Sequence, residues 1–276
     1  MTGAWMAVVV TGVILAGAAA WTLLGPSPRA DRDWVEEHRV APAFRLSGDF
    51  LAVRGVRNFS WGGAEEEYEP RWEERSYDMR GLRRVWYVLT PFSTSWRGPA
   101  HALLSFQFGD DDFLAISVEA RREVGEAYHL VKGMFHRYEV LYVVGDERDL
   151  VGMRALHRGD SVFVYPGRAT PEGLRGLLLD IAHEANRLRT HPTFYHTLFD
   201  NCTTRIVRHV NRVAPTTVGW SWRILLPGYS DALAHRLGLL DTELPLEEVR
   251  KRWKVNERAR RWADAPDFPL RIRGEE

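Results

Sequence analysis

Between Val85 and Pro166 the chain carries short runs rich in aromatic and β-branched residues, and at Thr170 it changes to helical spacing; this change of period most constrains the fold. The runs are VWYVLT (85–90), HALLSFQF (101–108), FLAISVEA (113–120), RYEVLYVV (137–144) and SVFVYP (161–166), and they read as strands of one antiparallel sheet. Gly109 to Asp112 joins the second and third, a tetrad of turn formers that predicts a tight hairpin. Thr170 then fits an N-cap, with Pro171 at the first helical position, where a missing N–H costs nothing. Leu174, Leu177, Leu178, Ile181, Ala185 and Leu188 make one apolar stripe. A second helix is expected to begin near Cys202, with Ile206, Val210 and Val213 on the same face, so that the cysteine points at the protein body. Residues 63–78 are charged and interrupted by Pro70, and read as a surface loop or short helix. The tail from Trp220 reads as small helices that wrap the core. The class expected is α+β, an antiparallel sheet packed on helices.

Ahead of this body, residues 4–24 run without a charge, long enough at helical rise to cross a hydrocarbon core of about 30 Å. Trp5 and Trp21 lie near the two ends, where amphipathic rings favour the interface. A transmembrane anchor is expected, with a cleaved signal peptide as the alternative because of the small residues at 18–20. Residues 25–33 read as a Pro-rich linker, and residues 34–276 as the catalytic domain. Arg29 and Arg32 would place the body in the cytoplasm by charge bias, but Asp31 and Asp33 interleave with them, so charge leaves the topology open.

The chain has 276 residues, with 37 basic and 37 acidic side chains, so it lacks the basic field that holds nucleic acid against salt, and nucleic acid is not an expected partner. Its one cysteine rules out an internal disulfide and any zinc site built from several thiolates. No phosphate loop, dinucleotide fingerprint, serine elbow or paired metal-ligand histidines is present in the sequence, so no metal or cofactor is expected. His183-Glu184 opens like a zincin motif without its second histidine and reads as a helix-surface pair.

The remaining nucleophile is Cys202, in FYHTLFDNCTTRIVRHV. Asp200 or Asn201 can cap the helix, leaving the sulfur in the first turn. There free backbone N–H groups and the helix dipole favour a thiolate and can receive the oxyanion of a tetrahedral intermediate. A small buried core residue is the plain alternative. His101 opens a strand after Gly98-Pro99-Ala100 and is the expected base at the rim of the sheet, with His196 as the rival. On the hairpin partner strand, Ser117 or Glu119 could orient the imidazole, and register alone would choose between them. Asn201, Arg121, Arg154 and Tyr195 are the expected substrate contacts, although such arginines often pair with nearby acids instead.

Several motifs in order, VRNFSW (56–61), HALLSF (101–106), AISVEARREVGEAYH (115–129), GMFHRYEVLYVVGDERDLVGMR (133–154), FYHTLFDNCTT (194–204) and LLPGYSD (225–231), resemble the Lnb N-terminal periplasmic domain family of bacteria. One departure is His196, where the family pattern would have asparagine. The arrangement is also similar to the circularly permuted papain-like fold of NlpC-type hydrolases and lecithin:retinol acyltransferase, in which a histidine strand precedes an Asn-Cys helix start. The resemblance implies an inner-membrane lipoprotein N-acyltransferase with its body in the periplasm. Its acyl donor would be a membrane phospholipid or lipoprotein, and its acceptor the N-terminal cysteine of a lipoprotein. A cysteine peptidase or amidase acting on cell-wall peptides is the second expectation, and a non-catalytic envelope module the third.

Overall fold

The structure is a computed structural model that describes residues 5–6, 8–12, 26–62, 67–93, 95–215 and 217–274. Most of the expected anchor, residues 4–24, lies outside the described residues, among which no helix is long and apolar enough to cross a membrane.

The strands in chain order are β1 (Ala43–Ser47), β2 (Phe50–Arg57), β3 (Ser60–Trp61), β4 (Tyr68–Glu69), β5 (Trp72–Asp78), β6 (Leu82–Pro91), β7 (Ala100–Phe108), β8 (Asp112–Arg121), β9 (Glu139–Gly145) and β10 (Phe163–Gly167). Eight of them form one sheet in the order β1-β2-β9-β8-β7-β6-β10, with β5 on the other edge of β2. The five expected runs are all strands. They pair antiparallel with one another as expected, and a strand outside those five runs, β2, joins β9 in parallel through Val56↔Val144 and Arg57↔Gly145. Gly55 makes this possible. Its positive φ of 75° sits at the bulge where β2 stops pairing with β1 and starts pairing with β9.

Two further corrections fall on the N-terminal half. Residues 72–78, expected in a loop or short helix, are strand β5, in which Tyr77 is buried, Trp72 half-buried, and Glu74 and Ser76 exposed. The segment after Pro26, expected as a free linker, lies against the sheet: the Arg29 N–H donates to the Glu139 carboxylate, and the Arg32 guanidinium pairs with the same group at 3.1 Å.

Alternate residues of β7, β8 and β9 feed two separate cores. Leu104, Phe106, Leu114, Ile116, Tyr142 and Val144 face one side, where helix α1 (Pro171–Thr190) lays down Leu174, Leu177, Leu178, Ile181, Ala185 and Leu188. Thr170 caps α1 by accepting the Gly173 N–H. Leu103, Phe113, Ala115, Leu141 and Val143 face the other side. That face is covered by a π-type helix, Arg148–His157, and by the C-terminal helices Asn256–Arg261 and Phe268–Arg273 through Ala259, Phe268 and Ile272. Both faces are therefore dry, and the nine residues of β7 are all buried.

The π-type helix is fixed by a buried ion pair. Asp149 accepts two hydrogen bonds from Arg57, both 2.8 Å, and two more from the Phe59 N–H and Trp61 Nε1. Removing this carboxylate leaves a buried guanidinium uncompensated. Asp149→Ala is accordingly expected to lower stability by about 3–5 kcal/mol in urea unfolding, and a loss under about 1 kcal/mol would refute the role given to the pair.

Candidate active site

Helix α2 (Cys202–Val213) begins at the sulfur. Asn201 is its N-cap, with the side-chain oxygen accepting the Thr204 N–H at 2.9 Å while the Thr204 hydroxyl accepts the Asn201 N–H at 2.8 Å. The sequence left Asp200 and Asn201 open as caps. Asp200 is instead held by Arg205 and Arg208. The first helical hydrogen bond here runs from the Arg205 N–H to the Asn201 carbonyl, so the amides of Cys202 and Thr203 lie ahead of it, at the positive end of the helix.

Cys202 is 3% exposed and belongs to the α1-side core, whereas His101 belongs to the other face of the sheet. They meet because the β7–β8 ladder ends early. Its last pair is Leu103↔Ser117, although β7 continues back to Ala100 and β8 forward to Arg121. In this opening the His101 ring and the Ala102 backbone N–H come near enough to the sulfur to act on its charge, and the Thr203 hydroxyl lies 3.8 Å away. Burial alone would raise the thiol. The positive charge and hydrogen bond of His101, helped by the two other donors, outweigh it and bring Cys202 below its ordinary value.

Ser117 and Glu119 both act on the imidazole. His101 Nε2 is 2.6 Å from the Ser117 hydroxyl and 3.2 Å from Glu119, and the same hydroxyl donates to Glu119 at 2.6 Å. A hydroxyl that donates to the carboxylate must accept from the ring, which assigns the proton to Nε2 and leaves Nδ1 for the sulfur. Arg154 donates to Glu119 at 3.0 Å and to the Leu150 carbonyl at 2.6 Å. Burial works against both charged partners, but the interaction with His101, backed by Arg154, holds Glu119 well below the carboxylate range. Burial likewise opposes the imidazolium, yet Glu119 and the Cys202 thiolate together lift His101 to about 9.

A cavity of about 410 Å³ opens onto this pair. Its lining combines charged and polar side chains, among them Glu37, His38, Arg122 and Arg154, with apolar ones, among them Phe92, Trp96, Leu130, Val131, Met134 and Leu225. Of the expected substrate contacts, Asn201, Arg154 and Tyr195 line it and Arg121 does not. The Arg121 guanidinium donates to the His38 and Arg39 carbonyls and lies 4.2 Å from the Trp34 ring centre, so it clamps the N-terminal segment onto β8. His196 is also outside the lining, its Nδ1 accepting the Leu198 and Phe199 N–H groups. Glu184 of the His183-Glu184 pair is bound by Arg187 and Arg205.

The sequence reading missed His38. It is buried, its Nδ1 accepts the Arg122 N–H at 3.1 Å, and burial depresses it to about 3, so a neutral ring stands in the cavity wall near Glu119. The only sequence signal was a histidine beside charged residues in VEEHRV, which reads equally well as a solvated turn. A second cavity, about 420 Å³, lies further along α2 among aliphatic side chains including Ile206, Val210, Leu233 and Leu240. Among the described residues no group of three His, Cys, Asp or Glu side chains could hold a metal ion.

Comparison with curated proteins and with solved structures finds no match. Residues 68–228, more than half of the chain, match the family described as the Lnb N-terminal periplasmic domain. The matched span contains His101, Ser117, Glu119, Arg154 and Cys202 and ends at Gly228, beside the lining Pro227, so this site lies inside a periplasm-facing envelope domain, and the chain belongs to the Lnb N-terminal periplasmic domain family.

Proposed function

We propose that the protein is a thiol-dependent acyltransferase, anchored in the bacterial inner membrane by residues 4–24 with its body in the periplasm. It takes a fatty acyl group from an ester of a membrane phospholipid or lipoprotein and passes it to the α-amine of a lipoprotein's N-terminal cysteine. The observation that carries the reading is the continuous chain Cys202–His101–Ser117–Glu119–Arg154, with the sulfur at a capped helix N-terminus. Histidine strand first and cysteine helix later is also the order of a circularly permuted papain-like fold, which we adopt as the plan of this domain.

The thiolate attacks the ester carbonyl carbon. The carbonyl oxygen takes the negative charge, opposite the Cys202 and Thr203 amides, and on collapse the C–O bond breaks while His101 gives its proton to the leaving alkoxide. The Cys202 thioester remains. A neutral amine then attacks the same carbon, His101 removes a proton from it, and the thiolate leaves as the amide forms. The cavity favours this substrate over a cell-wall peptide. Its aromatic and aliphatic lining suits a hydrocarbon chain.

Incubation with a labelled phospholipid followed by intact-protein mass spectrometry should reveal one acyl adduct on Cys202, absent from Cys202→Ala. Finding no adduct under turnover conditions would overturn the mechanism. Replacing His101 with Gln should reduce turnover about 10²–10⁴-fold, the usual weight of a general acid–base group.

The electrostatics make a separate prediction. Alkylation of Cys202 should reach half its maximal rate below the ordinary thiol value of about 8.5, because a neighbouring cation stabilises the thiolate. In His101→Gln that cation is gone and burial is left, so the midpoint should move above the ordinary value. An unchanged midpoint would separate the two side chains chemically.

A further inference from the structure

The cavity's apolar lining continues onto the outer surface. Phe92, Trp96, Leu130 and Val131 line the cavity and are also solvent-facing, and Phe135 and Phe199 stand next in sequence to the lining Met134 and Leu198. All six are between 43% and 65% exposed, although large apolar side chains gathered round one opening usually mark an interaction site. They come from three segments that the fold ties into one rim. The Thr197 hydroxyl donates to the Leu130 carbonyl and the Thr197 N–H to the Gly133 carbonyl, joining the second and third. The first is pinned to the cavity floor through the Gly228 N–H, which donates to the Gly98 carbonyl, and through Arg97, which donates to the Gly228 carbonyl.

The charges around the rim favour one kind of partner. Its acids are already neutralised, Glu126 by Arg137 and Asp200 by Arg205 and Arg208, and Lys132 stands exposed between Val131 and Met134. A surface with aromatic side chains, an apolar centre and an unneutralised cation complements an anionic lipid surface: rings enter the interface and the ammonium meets phosphate.

We propose that this rim is a membrane-docking surface, which seats the mouth of the Cys202 cavity on the bilayer. It rests on the acyl-lipid reading for its purpose, since a docked mouth admits a chain from the membrane without carrying the chain through water. Hydrocarbon would leave the bilayer along Leu130, Val131 and Met134.

The test uses the full chain with Cys202→Ser, reconstituted into vesicles of phosphatidylcholine with or without phosphatidylglycerol, so chemistry plays no part in the readout. An environment-sensitive fluorophore is placed at Phe135→Cys, at Phe199→Cys and, as a control, at Asp111→Cys. Asp111 lies in the β7–β8 hairpin, at the opposite end of β7 from His101. All three positions are exposed, so each label leaves the core intact. The rim labels should shift to the blue and be quenched by a lipid-borne quencher, more strongly with the anionic lipid, while the Asp111 label should do neither. Rim labels that respond like the control would overturn the docking surface and leave the Cys202 chemistry untouched. A blue shift that depends on protein concentration without lipid would also overturn it, in favour of a second copy of the chain.

Discussion

The chemistry of the site turns on the buried approach of the His101 imidazole to the Cys202 sulfur. Neither group would hold a charge in such a place alone, since burial pushes the thiol up and the imidazolium down. Each favours the charged form of the other, and Glu119 acts on the ring more strongly still. The pair is asymmetric in its support: the sulfur has amides at the start of α2, whereas the ring has a carboxylate two residues beyond a serine on the next strand. That carboxylate is in turn held by Arg154, on the π-type helix that Asp149 and Arg57 fasten to the sheet. A chain of charges alternating in sign therefore runs from the sulfur along the cavity lining.

The early end of the β7–β8 ladder makes that contact possible. A strand pair that continued to Ala100 would place β8 where the sulfur now lies and would spend the Ala102 amide on β8. By stopping at Leu103↔Ser117, the sheet keeps its core register and opens a slot at one end, in which groups from its two faces can meet. Ser117 is the last residue of β8 that pairs with β7, and Glu119 lies two residues further on the same face, which is why both reach Nε2.

Much of this was legible in the sequence where local rules act. The capped start of α1, the hairpin at Gly109 and the apolar stripe follow from spacing and residue type, and so does the helix start at Cys202. What the sequence did not give was long-range pairing. Strand β5 carries Glu73, Glu74 and Arg75 in a row and reads as a solvated face, because its place beside β2 is decided by residues fifteen or more positions away. Arg121 and Arg154 looked alike, each basic and each beside a strand. One ended on backbone carbonyls and Trp34, the other on Glu119, and only the packing of distant segments separates them. The choice between Ser117 and Glu119 was likewise not one a period-2 pattern could make, and the ring engages both.

The value of about 9 for His101 sets a constraint on the proposed reaction. An imidazolium so stabilised is a reluctant acid toward water but an adequate one toward an alkoxide, which is far more basic, so proton delivery can wait until the C–O bond breaks. The second half needs the opposite state, a neutral ring that can accept a proton from the attacking amine. Thioester formation supplies it. Once the sulfur is acylated its negative charge is gone, and of the two anions that lift His101 above its ordinary value only Glu119 remains. Burial then weighs more heavily against the imidazolium, so the ring that has given up its proton is not drawn to take another from water before the amine arrives. The same His101 ring thus acts first as acid and then as base, with the covalent state of Cys202 making the change.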